Sequence, residues 1–208
     1  MRINLNIDIS QDKSQVVEQA KTDKNLLAAL VENLSEGSRR RRQYAASVLA
    51  EVAHTNASAL EPYIDELVDA LARPEAQTRW EVLSVLADLS PIAANKLSAA
   101  IPEMEDSLYD EESNRVRLAA FKFLCAYGSG DAERSKEVWP HLEDVLRCYH
   151  GDDIYIAMLE EFLGFASSGI DADVALGIVD LLEFDATSQL GGMNAAASQI
   201  IAAAKANK

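Results

Sequence analysis

Cys125, Cys148 and His150 form one set of side chains whose types could ligate a metal ion. A zinc site normally has four ligands in closely spaced pairs, whereas only Cys148 and His150 are close in sequence here. Cys125 falls within a predicted helix and Cys148 near the end of another, so we expect both to pack as small buried residues. The sequence therefore predicts no metal site and no cofactor.

Residues for nucleophilic catalysis are not arranged in any common motif. His54 and His141 have no plausible nucleophile beside them, and the chain has no Gly-x-Ser-x-Gly, no Gly-rich phosphate loop and no His-Glu-x-x-His. We therefore expect a protein that is not an enzyme.

Two clusters of charge could bind ligands. Six carboxylates lie within residues 103–112, where they could hold a hard cation or receive a basic peptide, but the calcium-loop pattern is absent and we interpret them as a solvated acidic surface. Four consecutive arginines, at residues 39–42, could contact phosphate or an acidic partner. On a helix they point in different directions, so at most Arg39 and Arg40 are freely presented.

The composition indicates one soluble globular unit. The 208 residues are 49% apolar, and the formal net charge of -15 repels nucleic acid and anionic lipid. No apolar stretch reaches the roughly 18 residues that a membrane helix needs. The first four residues lack the apolar core of a secretory signal, and two cysteines suit a reducing compartment, so we expect a cytoplasmic protein.

Any functional side chains would be positioned by a repeated pair of helices, because the sequence has a period of about 37 residues. Apolar residues recur at spacings of 37, 37, 38 and 36, each with an apolar or small residue three before it and a leucine four after it; this series is Leu30, Leu67, Met104, Leu142 and Ile178. That spacing defines one face of an amphipathic helix, helix A. A second series with spacing 0, 3, 4, 7 defines helix B. Its four copies are Ala45, Val48, Leu49 and Val52; Val82, Val85, Leu86 and Leu89; Ala120, Phe123, Leu124 and Tyr127; and Leu159, Phe162, Leu163 and Ala166.

These series predict an all-α solenoid of about five hairpins, at residues 24–60, 61–97, 98–134, 135–169 and 170–208. The fifth is weaker and is expected to act as an end cap. Before them, alternating Ile3, Leu5, Ile7 and Ile9 predict a strand or extended arm, followed by a polar helical stretch near residues 14–24. We therefore predict an N-terminal segment, residues 1–23, and a single repeat domain, residues 24–208.

The third helix B carries a family resemblance. Residues 116–124 read Val-Arg-Leu-Ala-Ala-Phe-Lys-Phe-Leu, which is similar to helix B of the HEAT-repeat family, and Arg42, Arg79 and Arg117 occupy equivalent positions. The fourth copy departs from the pattern with Ile156. The resemblance covers residues 24–183 and implies a right-handed superhelix with helix A outside and helix B lining a concave face that usually binds another protein. We interpret the recurrent arginine as structural, paired with turn carboxylates such as Glu75.

The register of helix B predicts which side chains line that concave face. At 100° per residue, the positions opposite the core are Gln43, Ser47 and Glu51, then Trp80, Ser84 and Asp88, then Leu118, Lys122 and Ala126, then Ala157, Glu161 and Phe165. Trp80 and Leu118 have the composition of a binding hot spot, although Trp80 could instead pack sideways between neighbouring helices.

The function predicted from these patterns is a non-catalytic scaffold or adaptor. Trp80 and Leu118 would anchor an apolar segment of a protein partner, while Glu51, Asp88 and Glu161 would orient basic groups. One alternative is a HEAT-like DNA glycosylase with Trp80 as a base platform and the four arginines on phosphate, which needs a basic groove that the net charge opposes. Another is a permanent subunit of a larger assembly, to which the arm at residues 1–10 would add a strand. The oligomeric state and the identity of the partner stay open.

Overall fold

The computed structural model of the protein describes residues 7–189 and 191–207, without the side chains of residues 99, 103 and 191. These residues contain eleven α-helices: α1 (Lys13–Ala20), α2 (Lys24–Glu36), α3 (Arg39–Asn56), α4 (Ile64–Asp69), α5 (Ala76–Leu97), α6 (Ile101–Leu108), α7 (Asn114–Gly128), α8 (Ala132–Cys148), α9 (Tyr155–Ala166), α10 (Ala172–Leu182) and α11 (Gly191–Ala206). Short 3₁₀ segments precede α4, α5, α6 and α11. Since no strand occurs within the described ranges, the predicted all-α fold is confirmed.

The helices form because buried apolar residues recur at helical spacing behind polar caps. In α2, Leu27, Leu30 and Leu34 are buried, and the carboxylate of Asp23 accepts hydrogen bonds from the first amide groups of the helix. In α3, the buried positions include Val48 and Leu49 of the second series. All members of the first series are buried, and so are all members of the second except Leu163, which is half-buried.

The chain divides into two compact units, one ending at Met104 and the other beginning at Glu105, a boundary that lies within α6. In the first unit, α1, α3 and α5 form one layer: α3 packs against both α1 and α5. The second layer contains α2 and α4, which pack against each other and against α3 and α5 respectively. In this layer α3 and α5 correspond to the first two predicted B helices, and the layer of α1, α3 and α5 is called the first helix-B layer.

The second unit repeats this organisation. Helices α7, α9 and α11 form its helix-B layer, in which α9 packs against both α7 and α11. Helices α8 and α10 pack against each other and against α7 and α11 respectively. Its core is rich in aromatic rings; Phe162 has its ring centroid 5.4 Å from that of Phe165 and 6.0 Å from that of Phe121.

The segment before residue 24 differs from its prediction. Helix α1 overlaps the predicted polar helical stretch and is amphipathic: it buries Val16, Val17 and Ala20 against its neighbours and takes the place of a helix B. Of the predicted arm, residues 1–6 lie outside the described residues. Residues 7–12 form a loop with a turn, in which Ile7 is buried and Asp8 accepts a hydrogen bond from the Ser10 amide. The domain boundaries stay a prediction.

The fourth helix A begins earlier than its repeat boundary suggests. Pro102 lies in the first turn of α6, whereas Pro140 lies in the middle of α8, which already begins at Ala132. The reason is a local N-cap: the carboxylate of Asp131 accepts a hydrogen bond from the Arg134 amide 2.9 Å away and starts the helix two turns before the proline. Pro140 then removes one hydrogen bond from a helix that tertiary packing keeps in place.

Candidate binding groove on the first unit

The first helix-B layer contains a groove of about 470 Å³ that runs over α3 between α1 and α5. Its lining comes from all three helices: Ser14, Val17, Glu18 and Lys21 of α1, Ala50, Glu51, His54 and Thr55 of α3, and Ser84 and Asp88 of α5. Three residues predicted on the helix-B face, Glu51, Ser84 and Asp88, therefore lie together in one depression. The term groove denotes these ten residues.

Each of the three helices contributes one carboxylate to the groove, and each carboxylate has a cationic or titratable neighbour. Lys21 Nζ lies 2.6 Å from Glu18 Oε1, and Lys13 Nζ lies 2.5 Å from Glu51 Oε1. His54 Nδ1 lies 4.0 Å from Asp88 Oδ2, with the imidazole largely exposed.

Lys13 connects α1 to α3. Besides Glu51, its ammonium group donates a hydrogen bond of 2.6 Å to Ser47 Oγ, a residue predicted on this face. Burial raises the pKa of the nearby Glu81 carboxyl on α5, while the charge of Lys13 and hydrogen bonds from Trp80 and Gln77 lower it. The layer therefore holds an ammonium group among carboxylates next to the groove.

Two predicted residues of the first unit lie beside the groove. Gln43 on α3 and Trp80 on α5 are half-buried and precede Ser47 and Ser84 by about one helical turn. The Trp80 side chain is partly packed and partly exposed, and it donates a hydrogen bond to the carboxylate of the neighbouring Glu81.

On the second unit, the predicted face residues form one pair. Lys122 Nζ on α7 lies 3.5 Å from Glu161 Oε1 on α9, and Leu118 is half-buried on α7. Burial raises the pKa of the Cys125 thiol well above its ordinary value, and the charge of Glu161 raises it further. Cys125 is thus a buried packing residue, as the sequence suggested.

Two expectations for the second unit are wrong. Phe165 was placed on the helix-B face but is buried, because its ring packs against Phe162 and against the space beside Gly128. Cys148 was expected to be buried but is exposed, because it is the last residue of α8, on the side of the helix end that faces away from the core.

The recurrent arginines hold the turns that precede helix B. Arg42 binds Glu75 and also donates a hydrogen bond of 2.6 Å to the carbonyl of Gly37. Arg117 donates to the carbonyl of Asp110 at 2.6 Å and lies over the ring of Tyr149, 5.0 Å from its centroid. Arg79 is half-buried at the equivalent position of α5.

Sequence reasoning missed Ser14, Glu18, Lys21 and His54. The first three were missed because α1 was not recognised as a helix B, although Val16, Val17 and Ala20 have the spacing of one. His54 follows Glu51 by three residues on the same helix, so extending the register by one turn would have placed it on the same face.

The described part of the chain was also searched for metal sites and membrane-spanning helices. There, no group of three or more His, Cys, Asp or Glu side chains could hold a metal ion. Among the same residues, no helix is long and apolar enough to span a membrane.

Comparisons with known proteins match the fold alone. No family model matches the sequence, and no curated protein is significantly similar to it.

Several solved structures of designed proteins are similar to this chain. A designed armadillo repeat protein in complex with the peptide (KR)4 has a TM-score of 0.71 at 16% identity, and the match covers 92% of this chain and 90% of that one. A computationally designed armadillo repeat protein for modular peptide recognition has a TM-score of 0.68 at 16% identity, covering 92% and 91%. An engineered protein has a TM-score of 0.69 at 19% identity, covering 96% and 94%. The chain therefore has a helical-repeat fold of the armadillo-like kind, and the HEAT resemblance stays a prediction.

Proposed function

We propose that the protein is a non-catalytic binding scaffold and that the groove holds a segment of a protein partner. The observation that carries this proposal is the convergence of side chains from α1, α3 and α5 on one depression of about 470 Å³. Concave sites of this size are typical of ligand binding, and a groove shared by successive helices suits an extended chain better than a compact small molecule.

The chemistry of the lining supports a peptide ligand. Ser84 and Thr55 offer hydroxyl groups that can pair with backbone amide and carbonyl groups, and Val17 and Ala50 supply apolar surface between them. The carboxylates of Glu18, Glu51 and Asp88 would repel phosphate, which favours a protein partner over nucleic acid. The similar designed proteins include ones made for peptide recognition, which is consistent with this use of the fold.

Trp80 and Leu118 extend the proposed contact surface within their respective units. Both are half-buried, so each presents part of an apolar side chain while the rest is held by its neighbours. Such pre-ordered anchors lose little side-chain entropy on binding. Truncation of either one to alanine is expected to weaken a bound partner, by about 2 kcal/mol for an anchor at the centre of an interface.

Selection from a random peptide library on the immobilised full chain tests the proposal. Thr55→Trp fills the groove from an exposed lining position, whereas Ser35→Trp adds the same ring at the exposed end of α2. Peptides enriched by the wild type and by Ser35→Trp should be lost with Thr55→Trp. If Thr55→Trp retains the same peptides, or if the folded wild type enriches none, the groove is not a peptide-binding site.

A further inference from the structure

Helix α10 is apolar on two faces, of which one is packed inside the second unit. That face consists of three buried residues, Val174, Ile178 and Leu182. About a third of a turn away, a second apolar stripe follows the spacing 0, 3, 4, 7 and consists of Ala172, Ala175, Leu176 and Val179. A surface helix normally has one apolar stripe, so the second one indicates a second packing partner for α10.

The second stripe borders an apolar cleft of about 400 Å³, which is called the outer cleft. Its other side is the end of α11, with Ala204 and Lys205. No carboxylate lines this cleft, although the chain carries a net charge of -15. The side chain of Leu176 is 64% exposed. The same surface therefore has a protruding apolar side chain and a depression that can receive one.

We propose that the outer cleft binds a second copy of this chain in a two-fold symmetric dimer. In such a dimer one surface patch meets the same patch of the other copy, so the patch must be complementary to itself. An exposed Leu176 beside an apolar cleft meets this requirement, because each copy inserts its leucine into the cleft of the other. The dimer contact lies on the second unit and is separate from the groove of the first.

The charges at the edges of the outer cleft support a second copy as its occupant. Asp173 and Asp180 are exposed and lie three residues before and four residues after Leu176, so all three form one row along α10. Lys205 lies on the α11 side and forms no ion pair with the described residues. A two-fold axis along the cleft exchanges its two sides. Lys205 of each copy then faces the carboxylate row of the other.

Sedimentation velocity of the full chain tests the proposed dimer over a roughly hundredfold range of protein concentration. The net charge opposes association at low salt, whereas about 0.15 M salt screens charges more than about 8 Å apart and leaves the short contacts. We expect a monomer–dimer equilibrium in the salt-containing buffer. Leu176→Asp should raise its dissociation constant about tenfold or more, since it puts a charge in place of the apolar anchor.

Ile92→Asp is the matched control for this substitution. Ile92 is also an exposed apolar side chain, but it lies on α5 of the first unit, away from the outer cleft. Its replacement should leave the dissociation constant unchanged, and circular dichroism of each variant shows that the helices are kept.

A charge exchange between two variants tests the arrangement of the dimer directly. Lys205→Glu and Asp173→Lys/Asp180→Lys each place like charges opposite each other in their own dimer, so each should be more monomeric than the wild type. An equimolar mixture of the two restores opposite charges at both edges. The mixture should therefore form a heterodimer at concentrations where each variant alone is monomeric.

Four results would overturn the proposal. The first is a wild-type chain that stays monomeric over the whole range, and the second is a dimer that Leu176→Asp and Ile92→Asp affect equally. The third is growth to species larger than a dimer, because it would mean contact between two different surfaces. The fourth is a mixture of the charge variants that associates no better than either alone.

Discussion

The guanidinium group of Arg42 on α3 donates two hydrogen bonds to the carboxylate of Glu75. Glu75 lies in the turn before α5. Nε lies 3.0 Å from Glu75 Oε2, and a terminal nitrogen contacts Oε1. Glu75 is buried, and the third contact of Arg42, to the Gly37 carbonyl, belongs to the turn before α3. One side chain thus fastens the starts of two neighbouring helices that form the groove.

Removing this arginine should destabilise the first unit. Arg42→Ala leaves the Glu75 carboxylate buried without its bidentate partner, and breaking such a pair costs about 3 kcal/mol. The exposed Arg40→Ala, on the same helix, should change the free energy of unfolding by less than about 0.5 kcal/mol. Urea denaturation followed by circular dichroism measures both. Equal effects of the two substitutions would show that the Arg42–Glu75 pair is not a structural fastening.

The same pair predicts how stability depends on pH. The hydrogen bond from Arg42 holds the pKa of the Glu75 carboxyl below its ordinary value of 4.5, against the opposing effect of burial. Because the folded state binds this proton less readily than the unfolded state, the stabilisation is complete above about pH 4.5 and is lost as the pH falls through the lowered pKa.

Comparison with Glu75→Gln isolates that contribution. The melting temperature of the wild type should exceed that of Glu75→Gln at pH 7, and the difference should shrink steadily as the pH falls below about 4.5. A difference that stays constant from pH 7 to acid would contradict the lowered pKa. Other carboxylates titrate in the same range, so the quantity to follow is the difference between the two proteins rather than either curve alone.

A close approach at the end of α7 makes Gly128 sensitive to substitution. A Cβ atom at this position would lie 2.5 Å from Val138 Cγ2 and 2.8 Å from Phe165 Cε2, both in buried side chains. Gly128→Ala should lower the free energy of unfolding by about 1–3 kcal/mol, since overpacking outweighs the gain of up to about 1 kcal/mol in helix propensity. Gly164→Ala is a matched control, because a Cβ there has nothing within 4 Å. Thermal unfolding of the two variants tests the close packing of α7, α8 and α9. A Gly128→Ala protein as stable as the Gly164→Ala protein would contradict it.

The helices could be predicted because their signal is local. The spacing 0, 3, 4, 7 at Ala45, Val48, Leu49 and Val52 identifies the buried side of α3 whatever its neighbours are. The same register predicts Glu51 and Asp88 on the side opposite the core, and both side chains line the groove.

Side chains whose position depends on neighbouring helices could not be predicted. Phe165 follows the register of an exposed position, yet its ring is buried because Gly128 on another helix leaves room for it. The pair of Lys13 with Glu51 joins residues far apart in sequence, and its distance depends on how α1 packs against α3. That packing comes from only three buried residues of α1, too few to form a recognisable repeat.

The lining of the groove comes from three separate backbone segments, with Glu18 on α1, Glu51 on α3 and Asp88 on α5. A substitution at one of these positions leaves the backbone that carries the other two in place. The composition of this surface can therefore change one side chain at a time without a change of fold.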